Sequence, residues 1–346
     1  MFGTVLEFGP SWEPKARLGR YVVAFGVISL TKDCEGSGMQ WRMSKLQSDD
    51  DYWRVRTFLR DVFLNHDRLD LGWQTARLDY WCWHVVENCK ACDPPEQCLY
   101  LWYDANDKLT AIMHPERSGE IHISVDPWGD SAALLEDILD AAERLYATNE
   151  GDAHKLCVWS HELDTTRQEY LLERGYELDD NHESQWRQDL TQMTQTFKPA
   201  FGYVIRSLGT VAELPGRSWA SWRAFHPDEL DEDYEGWEWY RNIQRMPLYR
   251  RDLDLVAEAP DGSIAGFCTV WFDDVTRTGV FEPVGIVPEH QRCGLGTALI
   301  SEGQQRLRSS GATLATVGGY SDAANALYRR MFSGDALLYR RWQKTW

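Results

Sequence analysis

Two stretches of the chain repeat one order of elements, and this repeat constrains the fold more than any single segment does. In the first half, "IHISVDP" (residues 121–127) alternates apolar and polar residues as a strand does and closes on proline. An amphipathic stretch from Ala132 to Tyr146 predicts a helix. After it, "KLCVWS" predicts a second strand, and "TTRQEYLLERGYEL" a helix stopped at Gly175 and followed by an extended run. The second half runs through the same order: "VFEPVGIVP" as strand and proline, residues 297–309 as helix, "ATLATVGG" as strand, "SDAANALYRRMF" as helix. Each copy predicts an α/β unit, and 346 residues accommodate two.

The boundaries follow from where both periodicities fail. Polar residues and Pro199 interrupt the pattern over "DLTQMTQTFKPAFG". The expected division is an extension of unclear role at 1–38, a first unit at 39–190, a linker at 191–202 and a second unit at 203–346. "YVIRSLG" opens the second unit much as "WRMSKLQ" opens the first, and "DYWRVRTFLRDVFL" adds a one-faced helix to the first.

Charge and cysteine content narrow the function. A formal charge of -18 argues against binding nucleic acid through its backbone, which needs Lys and Arg on phosphates, and it favours cationic ligands. The apolar run at residues 21–30 is about half the ~20 residues a membrane-spanning helix needs. Lys15, Arg17 and Arg20 precede that run, but Glu7 and Glu13 and the following Thr31-Lys32-Asp33-Cys34 do not fit a secretion signal. The expectation is a cytoplasmic chain with free thiols and no membrane partner. Cys82, Cys89, Cys92 and Cys98, with His84 nearby, fit either a thiolate zinc site or a loop of reduced cysteines, and spacing alone does not choose. The seventeen Trp are read first as core and pocket lining.

The second copy carries a turn that the first lacks. In "GIVPEHQRCGLGTALI", Gln291-x-x-Gly294-x-Gly296 stands between a strand and a helix that begins about Thr297. Glycines let the chain bend tightly, so the N–H groups from about Cys293 to Thr297 can converge on one anion, helped by the helix N-terminus. A pyrophosphate suits such a nest. Neither a Rossmann nor a Walker pattern is present.

"VGIVPEHQRCGLGTALI" together with "SDAANALYRRMF" resembles the acetyl-CoA-binding core of the GNAT N-acetyltransferase superfamily, whose signature [RQ]-x-x-G-x-[GA] follows a strand ending near V-x-P. The resemblance covers most of both halves, so the chain looks like a tandem GNAT protein, an arrangement shared with mycothiol synthase. It implies an α/β fold of the mixed-sheet, α+β type, made of two GNAT-like acyl-CoA N-acyltransferase domains. It also implies acetyl-CoA as co-substrate and a reaction without metal. Carried over by position, Ile286 and Val287 would meet the pantetheine arm. Gln291, Arg292, Cys293, Gly294, Leu295, Gly296 and Thr297 would hold the pyrophosphate, with Gly294 and Gly296 making room. Asn325 would stand near the arm, and Tyr328 would be the family's tyrosine beside the sulfur. A carboxylate is also needed to take the amine's proton, and Glu282 in "VFEPVG" is the first candidate, its alternative being a solvent-facing strand-end acid.

Two departures qualify the match. The last helix reads "YRRMFSGDALLY" instead of running into a G-F pair, which puts the surroundings of Tyr339 in question more than Tyr328. The first copy follows "SVDP" with "WGDSAALLE" and lacks the nest, so it is expected to be a degenerate GNAT domain serving as scaffold.

The acceptor is expected to be a primary amine on a small cationic molecule, attacking directly in a ternary complex. "FHPDELDEDYEGWEWYRNIQ" combines acids with aromatics suited to such a cation, or else is a solvated loop whose rings turn inward. Trp81, Trp83 and His84 similarly fit either an interdomain cavity or a core stripe. A second function class is open: a non-catalytic tandem module that binds acyl-CoA or a metabolite. Monomer and homodimer are both compatible with the sequence.

Overall fold

The computed structural model describes residues 41–127, 132–151, 153–192 and 195–346. The expected extension at 1–38 and residues 128–131, where the first copy's counterpart of the nest would fall, lie outside these residues.

The first half comprises β1 (Arg42–Lys45), α1 (Asp49–Asn65), α2 (Thr75–Tyr80), α3 (Pro95–Cys98), β2 (Tyr100–Tyr103), β3 (Leu109–Arg117), β4 (Glu120–Val125), α4 (Ala132–Tyr146), β5 (Thr148–Glu150), β6 (Ala153–His161), α5 (Thr165–Glu173) and β7 (Glu177–Asp189). A π turn, Trp81–Val86, continues α2. The second half comprises β8 (Val204–Ser207), α6 (Leu214–Phe225), α7 (Tyr240–Ile243), β9 (Asp254–Glu258), β10 (Ile264–Asp273), β11 (Thr278–Ile286), α8 (Leu295–Ser309), β12 (Leu314–Gly319), α9 (Asp322–Met331) and β13 (Ser333–Thr345). The helix starts have local causes. Ser48 caps α1 by accepting from Asp51 N–H at 3.2 Å, ahead of three aspartates in the first turn, and Ser321 caps α9 by accepting from Ala324 N–H at 3.2 Å.

The repeat predicts two units side by side; the strands instead interlock. One mixed sheet runs in the order β1-β2-β3-β4-β6-β13-β7-β12-β11-β10-β9-β8, with β5 on β6. The closing strand of each half thus pairs with the other half: β13 lies antiparallel to β6 from Tyr339 opposite His161 to Thr345 opposite Lys155, and β7 lies antiparallel to β12 from Asp189 opposite Leu314 to Ser184 opposite Gly319. β13 and β7 also pair with each other, and that contact joins the two halves.

Each closing strand carries a tryptophan into the other half's core. Trp342 of β13 packs with Ile121, Ile123, Leu139, Val158 and Leu171 of the first half. Trp186 of β7 packs with Val317, Tyr328 and Phe332 of the second half. The irregularity expected after the last helix is a register shift between Ser333 and Leu337, with Gly334 in the left-handed region at φ 80°; the helix itself ends at Met331. Beyond the shift Tyr339 is buried.

Replacing Trp342 by Ala should cost about 3 to 5 kcal/mol in urea unfolding. Hydrogen exchange should quicken in α4 although Trp342 belongs to the other half of the sequence. A change confined to the second half's core would argue against the exchange of strands.

Candidate active site

The nest forms as its residues dictate. Arg292 and Gly294 lie in the left-handed region at φ 63° and 71°, so the chain coils back just before α8, whose first turn has no side-chain cap. Among the described residues, no backbone or side-chain acceptor is taken by the N–H groups of residues 292–297; the first amide satisfied is that of Ala298, on Gly294 O at 3.1 Å. The segment before β8 docks on this turn, with Ala200 N–H donating to Cys293 O at 3.0 Å. The two glycines differ in role. Gly294 supplies the backbone conformation, since a Cβ there would meet nothing closer than 3.9 Å. Gly296 instead lets α8 approach α9, because a Cβ there would stand 2.9 Å from Leu327.

Behind the nest the sheet opens. β11 and β12 pair in parallel only from Thr278 opposite Leu314 to Val280 opposite Thr316, and then part. Val287 donates to Ala265 O at 3.0 Å and accepts from His290 N–H at 2.9 Å, so its groups are turned away from the gap. Ile286, one residue back, therefore presents its N–H and C=O to the open side, as alternation along an antiparallel pair requires. On the far wall Gly319 has no side chain where Asn325 and the ring of Tyr328 come to 2.4 and 3.1 Å of a Cβ position. Asn325 accepts from Trp186 Nε1 at 2.9 Å and donates to Gly319 O at 3.4 Å, which fixes the start of α9. Burial raises the Tyr328 hydroxyl well above its ordinary range, so it stays protonated at neutral pH.

Glu282 lines a cavity of about 40 Å3 on the other side of the gap, together with Asp70, Trp73, Arg77, Glu183 and Tyr339. Burial is the largest influence on Glu282 and lifts its carboxyl to about 7; Arg77 opposes the rise, and Glu183 and Glu116 add to it. Arg77 donates to Glu183 at 2.8 Å, to the Tyr320 hydroxyl at 3.1 Å and to Glu116 at 3.4 Å, and its guanidinium lies 4.8 Å from the Trp73 ring. Asp70, Trp73, Arg77, Glu116 and Glu183 all come from the first half. Of these only Glu183 carries a signal in the sequence, polarity in the middle of a strand, at "HESQWRQ" in β7.

The other candidates fall elsewhere. Asp228, Glu229, Asp231, Glu232, Asp233, Glu235 and Glu238 are exposed, while Tyr240 is buried and Trp237 and Trp239 pack against the core beside it, so the acidic stretch is a solvated loop with its rings turned inward. Trp81 is core, Trp83 is covered by Arg245, and His84 bonds Asn88 at 3.1 Å; burial lowers His84 to about 4, and none of the three lines the cavity. Cys89 Sγ lies 3.7 Å from His84 Nε2 and Cys98 donates to Asp93 O at 3.0 Å, but among the described residues no three His, Cys, Asp or Glu group as metal ligands. No described helix is long and apolar enough to cross a membrane.

The first copy opens in the same way and is filled. β4 and β6 pair in parallel only at Glu120 opposite Cys157 and Ile121 opposite Val158. Beyond that point the buried Arg167 of α5 donates to Ile123 O at 2.9 Å and pairs with Asp164 at 2.9 Å. A guanidinium thus occupies strand groups of the kind the second copy leaves open.

Residues 216–332 match the sequence model of the acetyltransferase (GNAT) family. In fold, the chain is similar to a GCN5-related N-acetyltransferase from Sphaerobacter thermophilus, with TM-score 0.60 and 15% identity over 88% of this chain and 95% of that one. It is also similar to a tandem GNAT protein of the clavulanic acid biosynthesis pathway, with TM-score 0.57 and 12% identity over 89% and 98%. A GNAT-family acetyltransferase from Colwellia psychrerythraea gives TM-score 0.54 and 12% identity over 87% and 99%. At such identities the likeness is one of fold. No curated protein matches the sequence.

The raised carboxyl has a measurable consequence. Glu282 titrates near 7 when folded and near 4.5 when unfolded, so between those values the folded chain holds a proton the unfolded chain has released. Stability therefore falls as pH rises through this window, by about 3 kcal/mol at most. Glu282→Gln should be more stable than the parent in urea at pH 8, the difference shrinking towards pH 5. Equal stability at pH 8 would mean that the carboxylate is well solvated.

Proposed function

From a chain that carries a GNAT acetyltransferase domain over residues 216–332 within a tandem GNAT fold, we infer an N-acetyltransferase that moves an acetyl group from acetyl-CoA to a primary amine at the second copy's gap. The observation that carries this is the run of open N–H groups at residues 292–297, set at the mouth of a gap whose far wall holds Tyr328 and whose inner end holds Glu282.

The residues present fit the co-substrate. The open N–H groups of Arg292, Cys293, Gly294, Leu295, Gly296 and Thr297 would hold its pyrophosphate, with Gln291 flanking them. Ile286 would pair with the amides of the pantetheine arm, with Val287 shaping the turn and Asn325 the opposite wall. When bound, acetyl-CoA supplies a thioester whose carbonyl carbon forms a C–N bond with the amine as its C–S bond breaks. Glu282, ionised above about 7, takes the proton that the ammonium must lose. Tyr328, protonated throughout, donates one to the departing sulfur. Direct attack is favoured over an acyl-enzyme: Cys293 Sγ is turned to Gln291 O at 3.6 Å, and burial pushes the Cys268 thiol far up, leaving no thiolate at neutral pH.

Calorimetric titration of the full chain with acetyl-CoA should give one site, and Gly294→Trp, placing an indole on a left-handed residue of the nest, should abolish it. Binding that survives in the variant would displace the cofactor from this turn. Tyr328→Phe should lower kcat about 10- to 100-fold with acetyl-CoA affinity little changed. Equal losses in both would make the tyrosine a packing residue. Turnover should rise with pH through an apparent value near 7, and in Glu282→Gln that limb should vanish.

A further inference from the structure

Resting on that proposal, we infer that the acceptor carries, several bonds from its reacting amine, an oxygen that accepts hydrogen bonds from Tyr339 and Gln185.

An orphaned donor is the first ground. Tyr339 is 2% exposed and stands on the cavity wall, yet its hydroxyl has no hydrogen-bond partner among the described residues. Its ring is held in place by stacking on His122 at 5.8 Å and on Trp159 at 5.9 Å, with interplanar angles of 3° and 7°. Burial pushes the hydroxyl up to about 12, against Arg167 and Arg77, so it remains a donor at neutral pH. A phenylalanine would fill the same stack without leaving a buried hydroxyl unpaired, so packing does not account for the oxygen.

The surroundings are the second. On β7, Glu183 lies directly opposite Tyr339, and its carboxylate is taken by Arg77 at 2.8 Å. On β6 the neighbour is His161, whose Nδ1 accepts from Leu163 N–H at 3.1 Å and whose Nε2 is itself without a partner among the described residues. Gln185 stands two residues past Glu183, diagonal to Tyr339 across the ladder. It is buried, lines the cavity, and its amide makes no hydrogen bond with a described residue. Side chains as long as these reach one ligand group from diagonal positions. Both offer uncharged donors, and an oxygen, whether of a hydroxyl or of a carboxylate, is what such donors suit.

Distance is the third. Glu282 on β11 and Tyr339 on β13 line one cavity with β12 and β7 between them. Three inter-strand steps of about 4.8 Å place their strands roughly 14 Å apart. A hydrogen bond of about 2.9 Å at each end leaves roughly 8 Å between the acceptor's nitrogen and its oxygen, the span of about six bonds in an extended chain.

The test is thiol release by the full-length chain from acetyl-CoA with three amines of one length, beside calorimetry of acetyl-CoA alone. The amines are 5-aminopentan-1-ol, 5-aminopentanoate and hexylamine, which differ only at the far end. At least one oxygen-bearing amine should exceed hexylamine about 10-fold or more in kcat/KM, and the better of the two tells hydroxyl from carboxylate. Tyr339→Phe should raise the KM for that amine about 10-fold, erase its advantage over hexylamine and leave acetyl-CoA affinity unchanged. Its urea midpoint should be no lower than the parent's. Gln185→Met, which keeps the length and loses the amide, should shift the KM in the same sense, and it decides the matter if the first variant fails to fold. A lower midpoint with all three amines slowed alike would make the hydroxyl a structural group, bridged to His161 by buried water, and overturns the inference. Normal acetyl-CoA binding with hexylamine equal or preferred, or with no amine turned over, also overturns it and leaves the cofactor assignment standing. Loss of acetyl-CoA binding in the parent chain overturns both.

Discussion

The ladder between β7 and β13 is the contact on which the remaining structure depends. Each of these strands closes the sequence of its own half and is hydrogen-bonded in the interior of the sheet to the other half. Neither half can complete its sheet alone, because the strand beside β6 comes from the end of the chain and the strand beside β12 from its middle. The same ladder delivers Glu183 to the gap between β11 and β12, where Gly318 leaves room for its carboxylate. The halves are thus coupled in the core and at the site by one set of backbone bonds.

That coupling explains why so much charge is buried at the junction. An isolated buried carboxylate or guanidinium costs several kcal/mol, and a buried ion pair seldom returns more than its desolvation cost. Here Arg77 is held by two carboxylates and a phenol, and Arg60 reaches Asp273 at 2.8 Å across the halves. A junction built only for stability would be met more simply with leucine and valine. The retained charge instead sets the Glu282 carboxyl near neutral pH, Glu183 and Glu116 raising it against Arg77.

Much of this was legible in the sequence, and the illegible part has a physical cause. The repeat, the nest at Gln291 to Thr297 and the helix bearing Asn325 and Tyr328 are local patterns, and local patterns survive folding. Exchange of closing strands is not local: "ELDDNHESQWRQD" alternates in the same way whichever half it pairs with. Arg77 and Glu183 are 106 residues apart and meet only because of that exchange. The acidic and tryptophan-rich stretches left two readings open for a related reason, since composition does not say which way a side chain faces; the structure takes the solvated loop and the core stripe. Glu282 stood out by position, but its raised carboxyl depends on Glu183 and Glu116 as well as on burial.

The filled opening of the first copy bears on how such a chain can change over time. Arg167 is buried and tied to Ile123 O and to Asp164. Removing it would leave Asp164 without its charge partner and a carbonyl without its donor. Opening this groove would need several coordinated substitutions, each harmful alone. The first copy's opening is therefore held shut by bonds that cannot be given up one at a time.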